Sequence, residues 1–344
     1  MPTGSKDPGV LLDWLLNSMG LVRRSGGDDS GALHRIVREA LLLEPLKGWN
    51  SKELGDVTGL SNTGIHHQMV KLRECGLVAA QVDGKWHRYV LRGGSMASAV
   101  SLAESQAIAT LNLRLSEMAG IVEDSETRME TESEEDETPF SITISESGPL
   151  DDLDPKLALV RDLGLAGEAQ QSDRLPRDLL IDLCSSHQPI TILALSERLK
   201  ESRGRISTAL ERLRSSRIVE RAPMTERIAQ DIFSGLMRQF DARGEDWLMS
   251  RGGLGRLDEA VSIALIAGAS GGGLDIARVR DILSPVELAD QRVLLNTLGG
   301  RMPYGYRVTG ADGAQVSVRV MRKAEQTLRR IRTVATRLDE ALLE

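Results

Sequence analysis

Residues 51–91 read SKELGDVTGLSNTGIHHQMVKLRECGLVAAQVDGKWHRYVL, and the signals in them run helix, turn, helix, hairpin. Ser51 is an N-cap candidate, with Leu54 and Val57 as the buried positions that follow. Gly59-Leu60-Ser61 ends that helix, and Ser61 can cap the next. From Ser61 to Glu74 the apolar residues Ile65, Met69 and Leu72 are spaced i, i+4, i+7, one face of a helix. Asn62, Thr63, His66, His67, Gln68 and Lys71 are read as the opposite face, none of them needed for a core. Gly76 stops the helix. Val78 to Val82 and Lys85 to Leu91 then flank Asp83-Gly84, the strongest two-residue hairpin signal.

This order resembles the winged helix-turn-helix of ArsR-type regulators. The resemblance rests on Ser51-Lys52-Glu53-Leu54, Gly59-Leu60-Ser61, Ile65 with its polar triplet, Leu72 to Val78, and Gly84-Lys85-Trp86 leading to Tyr89-Val90-Leu91. It covers residues 33–94, with recognition helix and wing both in register. It implies a DNA-binding regulator that works as a homodimer. A helix fits the major groove, where each base pair shows its own pattern of donors and acceptors. Ser61, Asn62, Thr63, His66, His67 and Gln68 supply hydrogen-bonding groups for that reading. Lys71 and Arg73 are placed for phosphates, and Lys85, Trp86 and Arg88 for phosphate or the minor groove. Gly64 inside this helix costs roughly 1 kcal/mol against alanine.

Upstream, Val10 to Val22 is an amphipathic helical stretch that could pack on its own domain or on a second subunit. Residues 26–31 read as a linker, and Leu33 to Leu43 as the first helix of the motif, with Ile36, Val37, Ala40 and Leu41 inward and Pro45 ending it. Downstream, Ser95 to Val122 is a long helical pattern. Its stripe of Val100, Ala103, Ala107, Leu111, Leu115, Met118 and Val122 is expected to pair two subunits, as a helix in this place does in the family; the alternative is a helix folded back on its own domain. Met321 to Leu343 is a second such candidate.

A net charge of −7 at first argues against nucleic acid. Its distribution reverses that. Residues 123–154 hold thirteen acidic residues and one arginine, whereas residues 33–94 hold nine Lys/Arg against six Asp/Glu. The charge of the segment that faces DNA is the one that matters. Glu123 to Thr138 is expected to be a disordered acidic linker; a mimic of DNA is the sharper alternative. Pro139 to Ile144 is a possible short strand.

Leu175 to Arg221 reads as a second helix-turn-helix, and ESRGRISTALERLRSSRIVER resembles the recognition segment of MarR-type regulators. Ile206, Leu210 and Leu213 repeat the spacing of Ile65, Met69 and Leu72, with Arg203, Arg205, Ser207 and Thr208 outward. Two departures stand out. Arg217 occupies the place of a glycine, and a helical run from Thr225 to Phe240 replaces the wing. A third winged unit is expected over 251–344, where Tyr304, Tyr306 and Val308, then Val316, Val318 and Val320, alternate around Gly310 to Gly313.

The expected fold is therefore mostly α with small β-hairpin wings, in tandem winged helix-turn-helix domains. The domain reading is 1–32 N-terminal helix and linker, 33–94 winged helix, 95–122 long helix, 123–155 acidic linker, 156–250 second unit and 251–344 third unit. Aromatics make up only 3% of the chain, so its cores must rely on aliphatic residues. Two cysteines form no framework and suit a reducing compartment. The longest apolar run, Ala260 to Ala269, is too short to span a bilayer, and the N-terminus lacks the pattern of a secretory signal, so a cytoplasmic location is expected. A metal sensor would draw on His34, His66, His67, His87, Cys75, Cys184 and His187. Of these only Cys184 and His187 share a helical turn, and none has metal-motif spacing. The glycine runs lack the Lys-Ser/Thr of a phosphate loop. Neither a cofactor nor an enzyme activity is expected. The reading is a sequence-specific transcription regulator on double-stranded DNA, with effector undefined; the alternative is a winged-helix module that grips protein in chromosome or transcription machinery.

Overall fold

The computed structural model describes residues 2, 4–22, 29–84, 86–129, 138–144, 155–166 and 174–344. The chain is mostly helical, with two small antiparallel two-stranded sheets. It divides into one unit of Met1–Leu115, Ile144–Glu146 and Met321–Glu344, and another of Ser116–Thr143 and Ser147–Val320.

In the first unit, α1 (Pro8–Ser18) is capped by the Asp7 carboxylate, which accepts from Gly9 N. α2 (Asp29–Ile36) runs on into a π-helical turn, Val37–Leu41, so α2 begins inside the linker expected at 26–31. Then follow α3 (Ser51–Thr58), α4 (Asn62–Glu74), β1 (Val78–Asp83), β2 (Trp86–Leu91) and α5 (Met96–Ala119). The cap of α3 is Asn50 rather than Ser51. Asn50 and Glu53 form a reciprocal capping box that satisfies two otherwise orphaned backbone N–H groups. Val57, expected inside, is 45% exposed. The hairpin pairs Asp83 with Trp86, so Asp83 belongs to the strand and not to the expected Asp83-Gly84 turn. Trp49 adds a bridge to Tyr89, extending this sheet by one pair.

The core of this unit collects Leu33, Ile36, Ala40, Leu54, Ile65, Met69, Leu72, Leu77 and Leu91. Leu11, Leu12, Leu15 and Leu16 of α1 enter it, as do Ile331, Val334, Ala335 and Leu338 near the C-terminus. Each buried leucine contributes about 1.5–3 kcal/mol, which makes both terminal helices structural parts of the unit. Asp339 also caps α5, accepting from Met96 N and Ala97 N at 3.1 and 2.8 Å. Of the stripe on α5 expected to pair subunits, Val100, Leu111 and Leu115 are buried in this unit, whereas Ala103 and Ala107 are half-buried.

The second unit repeats the first. It contains α6 (Pro155–Asp162), α7 (Leu175–Cys184), α8 (Ile192–Leu199), α9 (Arg203–Ser215) and β3 (Val219–Pro223). Ile190, Ser202, Arg217 and Val219 stand 141 positions after Trp49, Ser61, Gly76 and Val78, and each takes the same structural place. Thr191 caps α8 as Asn50 caps α3. The two left-handed helix ends that are Gly59 and Gly76 in the first unit are Lys200 (φ 54°) and Arg217 (φ 64°) in the second. Each costs about 1–2 kcal/mol in backbone strain, which the repeated packing around it over-determines.

After β3 the repeat is interrupted by α10 (Thr225–Ser250), α11 (Glu259–Ser270), α12 (Ile276–Leu283) and α13 (Leu288–Thr297), and only then comes β4 (Tyr304–Val308). β4 lies antiparallel to β3 in the register Val219↔Val308 to Pro223↔Tyr304. Tyr306 bridges Ile190 as Tyr89 bridges Trp49. Gly305 permits this closeness, because a Cβ there would stand 2.7 Å from the Pro189 carbonyl carbon. The strand that pairs with β3 is thus supplied from beyond a four-helix insertion. That insertion has its own core, with Ile228, Ile232, Leu236, Leu265, Val279, Leu294, Leu295 and Leu298 in one cluster.

The third winged unit expected over 251–344 does not form. Tyr304 to Val308 is a strand, but its partner is β3. Val316 and Val320 are buried on α14 (Gly313–Leu343) while Val318 is 65% exposed. An i, i+4 pair of valines fits a helix as well as alternation fits a strand, and β-branched residues favoured the wrong reading. The start of the supposed acidic linker is also ordered. Glu126–Met129 is a 3-10 turn, and Arg128 is fully buried, donating to Ser186, Gly310 and Glu123 carbonyls at 3.2, 3.0 and 2.9 Å. Residues 138–144 form no strand; Ser141 N donates to Ser215 O. Residues 130–137 of the acidic stretch lie outside the described residues.

Pro223 and Tyr304 face each other, and Met224 N donates to Pro303 O at 2.9 Å, so the insertion leaves and returns at one point. Replacing residues 224–303 by Asn-Gly should give a soluble chain that keeps the second helix-turn-helix. Amide hydrogen exchange of β3 and β4 checks it, and loss of their protection would show that the insertion is needed for the sheet.

Candidate nucleic-acid interface

α4 is set by its two ends. Ser61 Oγ accepts from Gly64 N at 3.2 Å, and Gly76, at φ 78°, turns the chain out after Cys75. Ile65, Gln68, Met69 and Leu72 face inward, against α2, α3 and β1. Ser61, Asn62, Thr63, His66, His67 and Arg73 are exposed, and Lys71 is half-buried. Six of the eight positions assigned to this helix as reading or phosphate-contacting groups therefore lie at the surface.

Gln68 is the correction. It is 1% exposed and belongs to the core side. At about 100° per residue it stands roughly 60° from Ile65 and 40° from Leu72, at the edge of the same buried arc. Counting only i, i+4, i+7 placed it outside; the i+3 neighbour places it inside.

The hairpin residues divide. Arg88 Nε donates to Asp83 at 2.7 Å, and Nη1 to Gly48 O at 3.1 Å. Arg88 thus braces the hairpin against the Trp49 bridge, and a phosphate would have to compete with Asp83. Lys85 and the side chain of Trp86 lie outside the described residues. Two further cations escaped the sequence reading. Lys52 is exposed in the first turn of α3, and Lys47 Nζ sits 4.0 Å from the Trp49 ring centroid. The only hint of the second was its spacing to a tryptophan whose place in the sheet is not a local property.

On α9, Arg203, Arg205 and Thr208 are exposed and Ser207 is half-buried. Arg205 pairs with Glu201 at 2.6 Å, and Thr208 Oγ1 donates to Gly204 O. Glu211 shares this outer side and pairs with Arg214 at 2.8 Å. This face is more self-neutralised than that of α4. Beside it, exposed Arg221 of β3 stacks 3.9 Å over the Tyr304 ring, an aromatic and cation pair that only the β3–β4 pairing creates.

Cys75 Sγ donates to Leu72 O, and burial pushes its thiol up to about 11. Cys184 is fully buried, and burial pushes it up to about 12. α7 ends at Cys184, with Ser185 as its cap and His187 exposed beyond it, so these two residues do not share a helical turn. No group of three or more His, Cys, Asp and Glu able to hold a metal occurs among the described residues. Among them, too, no helix is long and apolar enough to cross a membrane.

A thiol whose pKa is raised stays protonated, and so unreactive, until the pH approaches that value. Both cysteines should resist iodoacetamide at pH 8 in the native protein and react once it is unfolded; mass spectrometry that finds either one rapidly alkylated in the folded chain would refute the burial argument. Compared with known proteins, the chain matches no family model and no curated sequence.

Proposed function

We propose that this protein is a sequence-specific DNA-binding transcription regulator built from two winged helix-turn-helix modules in one chain. The observation that carries the reading is the outer side of α4. Asn62, Thr63, His66, His67 and Arg73 stand exposed on a helix whose other side is fully committed to the core. Planar and short hydrogen-bonding groups in that position suit base edges in a major groove. Arg73, in the last turn, suits a phosphate. α9 offers a second, more nearly neutral helix in the corresponding place. Leu102 and Leu113 of α5 are exposed and Ala103 and Ala107 half-buried, so this helix keeps apolar groups through which two copies of the chain can pair.

A second reading is favoured by the β3–β4 insertion. A wing that carries four helices at its tip is better suited to a protein surface than to a narrow groove. In this reading the chain grips a component of chromosome or transcription machinery, and the α4 face is merely solvated.

The two readings separate by salt. Binding that releases counterions falls linearly in log salt, with a slope near −0.9 per phosphate contacted. The full chain is the right material, because a fragment of 33–122 would strip α1 and residues 331–338 from the core. With a selected binding site, Asn62→Ala and His67→Ala should each weaken binding about 5- to 150-fold, at about 1–3 kcal/mol per lost base contact, and leave non-specific binding unchanged. Arg73→Ala should weaken all sequences alike and flatten the slope by about 0.9. Anisotropy titrations at several salt concentrations measure both effects; a chain that retards no duplex at low salt would exclude the regulator reading.

A further inference from the structure

α14 carries a charged face that neither helix-turn-helix uses. Over residues 321–337 the sequence has six Lys/Arg and one acidic residue. The cations separate by orientation. Arg332 pairs with Glu104 at 3.3 Å, and Arg337 donates to the carbonyls of Pro2 and Ser5; both are tied into the first unit. Arg322, Arg329 and Arg330 are exposed, and among the described residues their side chains make no ion pair or hydrogen bond. They lie at i, i+7 and i+8, which puts them on one side of the helix with Gln326 and Thr333, also exposed. The opposite side, through Ile331, Val334, Ala335 and Leu338, is buried. A solvated helix face of this length normally interleaves acids with bases at i, i+4. Here Glu325 stands four residues before Arg329 and makes no ion pair with it.

We infer that Arg322, Arg329 and Arg330 form a strip that contacts the phosphate backbone of duplex DNA, separate from the base-reading face of α4. The inference rests on the DNA-binding reading above. The strip spans about 12 Å of helix axis, and a duplex presents about one negative charge per 1.7 Å, so three successive contacts fit its length. Guanidinium forks suit phosphate oxygens, and Gln326 and Thr333 can add neutral hydrogen bonds. Nothing in the strip reads bases, so it gives affinity and orientation without changing sequence choice.

The test is the triple variant Arg322→Gln, Arg329→Gln, Arg330→Gln in the full chain, with thermal melting to establish that the fold is retained. The probe is a selected duplex and a scrambled duplex, each titrated at several salt concentrations. The expected result is a salt slope smaller by about 2.7 on both duplexes, with the ratio of the two affinities unchanged. A control removes the same net charge from the β3–β4 insertion, at the exposed Arg251, Arg256 and Arg280, and should leave the slope as it was. If wild type binds neither duplex, the DNA-binding reading itself fails. If wild type binds but the triple variant keeps its slope, this inference alone is overturned and the strip belongs to an acidic protein surface or the chain's own acidic stretch. A control that loses as much as the triple variant overturns it too, because the effect is then one of net charge.

Discussion

The cross-strand pair of Glu220 and Arg307 holds the second unit's sheet in place. The two residues face each other in the β3–β4 register, both are nearly fully buried, and their side chains meet at 2.8 Å. Arg319, at the start of α14, reaches the other carboxylate oxygen at 3.5 Å. Arg307 also donates to the carbonyl of Arg128, whose own guanidinium is surrounded by carbonyls at the end of α7 and at the turn before α14. A buried charge left without its partner costs about 3–5 kcal/mol. A slip of β4 by one residue would impose that cost and turn every side chain of the strand over. The ion pair therefore acts as a register lock for two strands that the chain brings together from opposite ends of a four-helix insertion.

The same logic orders the two helix-turn-helix segments. In each, an apolar arc on the third helix fixes its rotation, a left-handed residue ends it, and a bridge residue ties the sheet back to the segment before the second helix. The outer face is what remains once the core has taken its share. On α4 that remainder is rich in hydrogen-bonding side chains. On α9 it is largely neutralised by Glu201 and Glu211. The two helices share a scaffold but present different chemistry.

The apolar stripes at both termini and on α5 invited a dimer from sequence. The structure places those of α1 and of the C-terminal part of α14 in the first unit's core. Amphipathicity states that a helix has a side to bury; it carries no information about whether the covering surface comes from the same chain.

Much of the first helix-turn-helix was legible because its signals are local. Ser61, Gly59 and Gly76 act within a few residues of themselves, and the Ile65–Leu72 spacing reports a helix directly. Gln68 was misplaced by too narrow a count of the buried arc. The place of Asp83 in the strand, and the cap at Asn50, are boundary effects of single hydrogen bonds. What sequence alone determined was therefore the helical class, the two repeated helix-turn-helix segments and the polar outer face of α4. Tertiary structure alone decided that Tyr304–Val308 completes the sheet begun at Val219, that Val316–Val320 is helix, and that Arg128 is buried. Those outcomes depend on contacts between residues far apart in the chain, and a long-range pairing leaves no periodic trace in either of its partners.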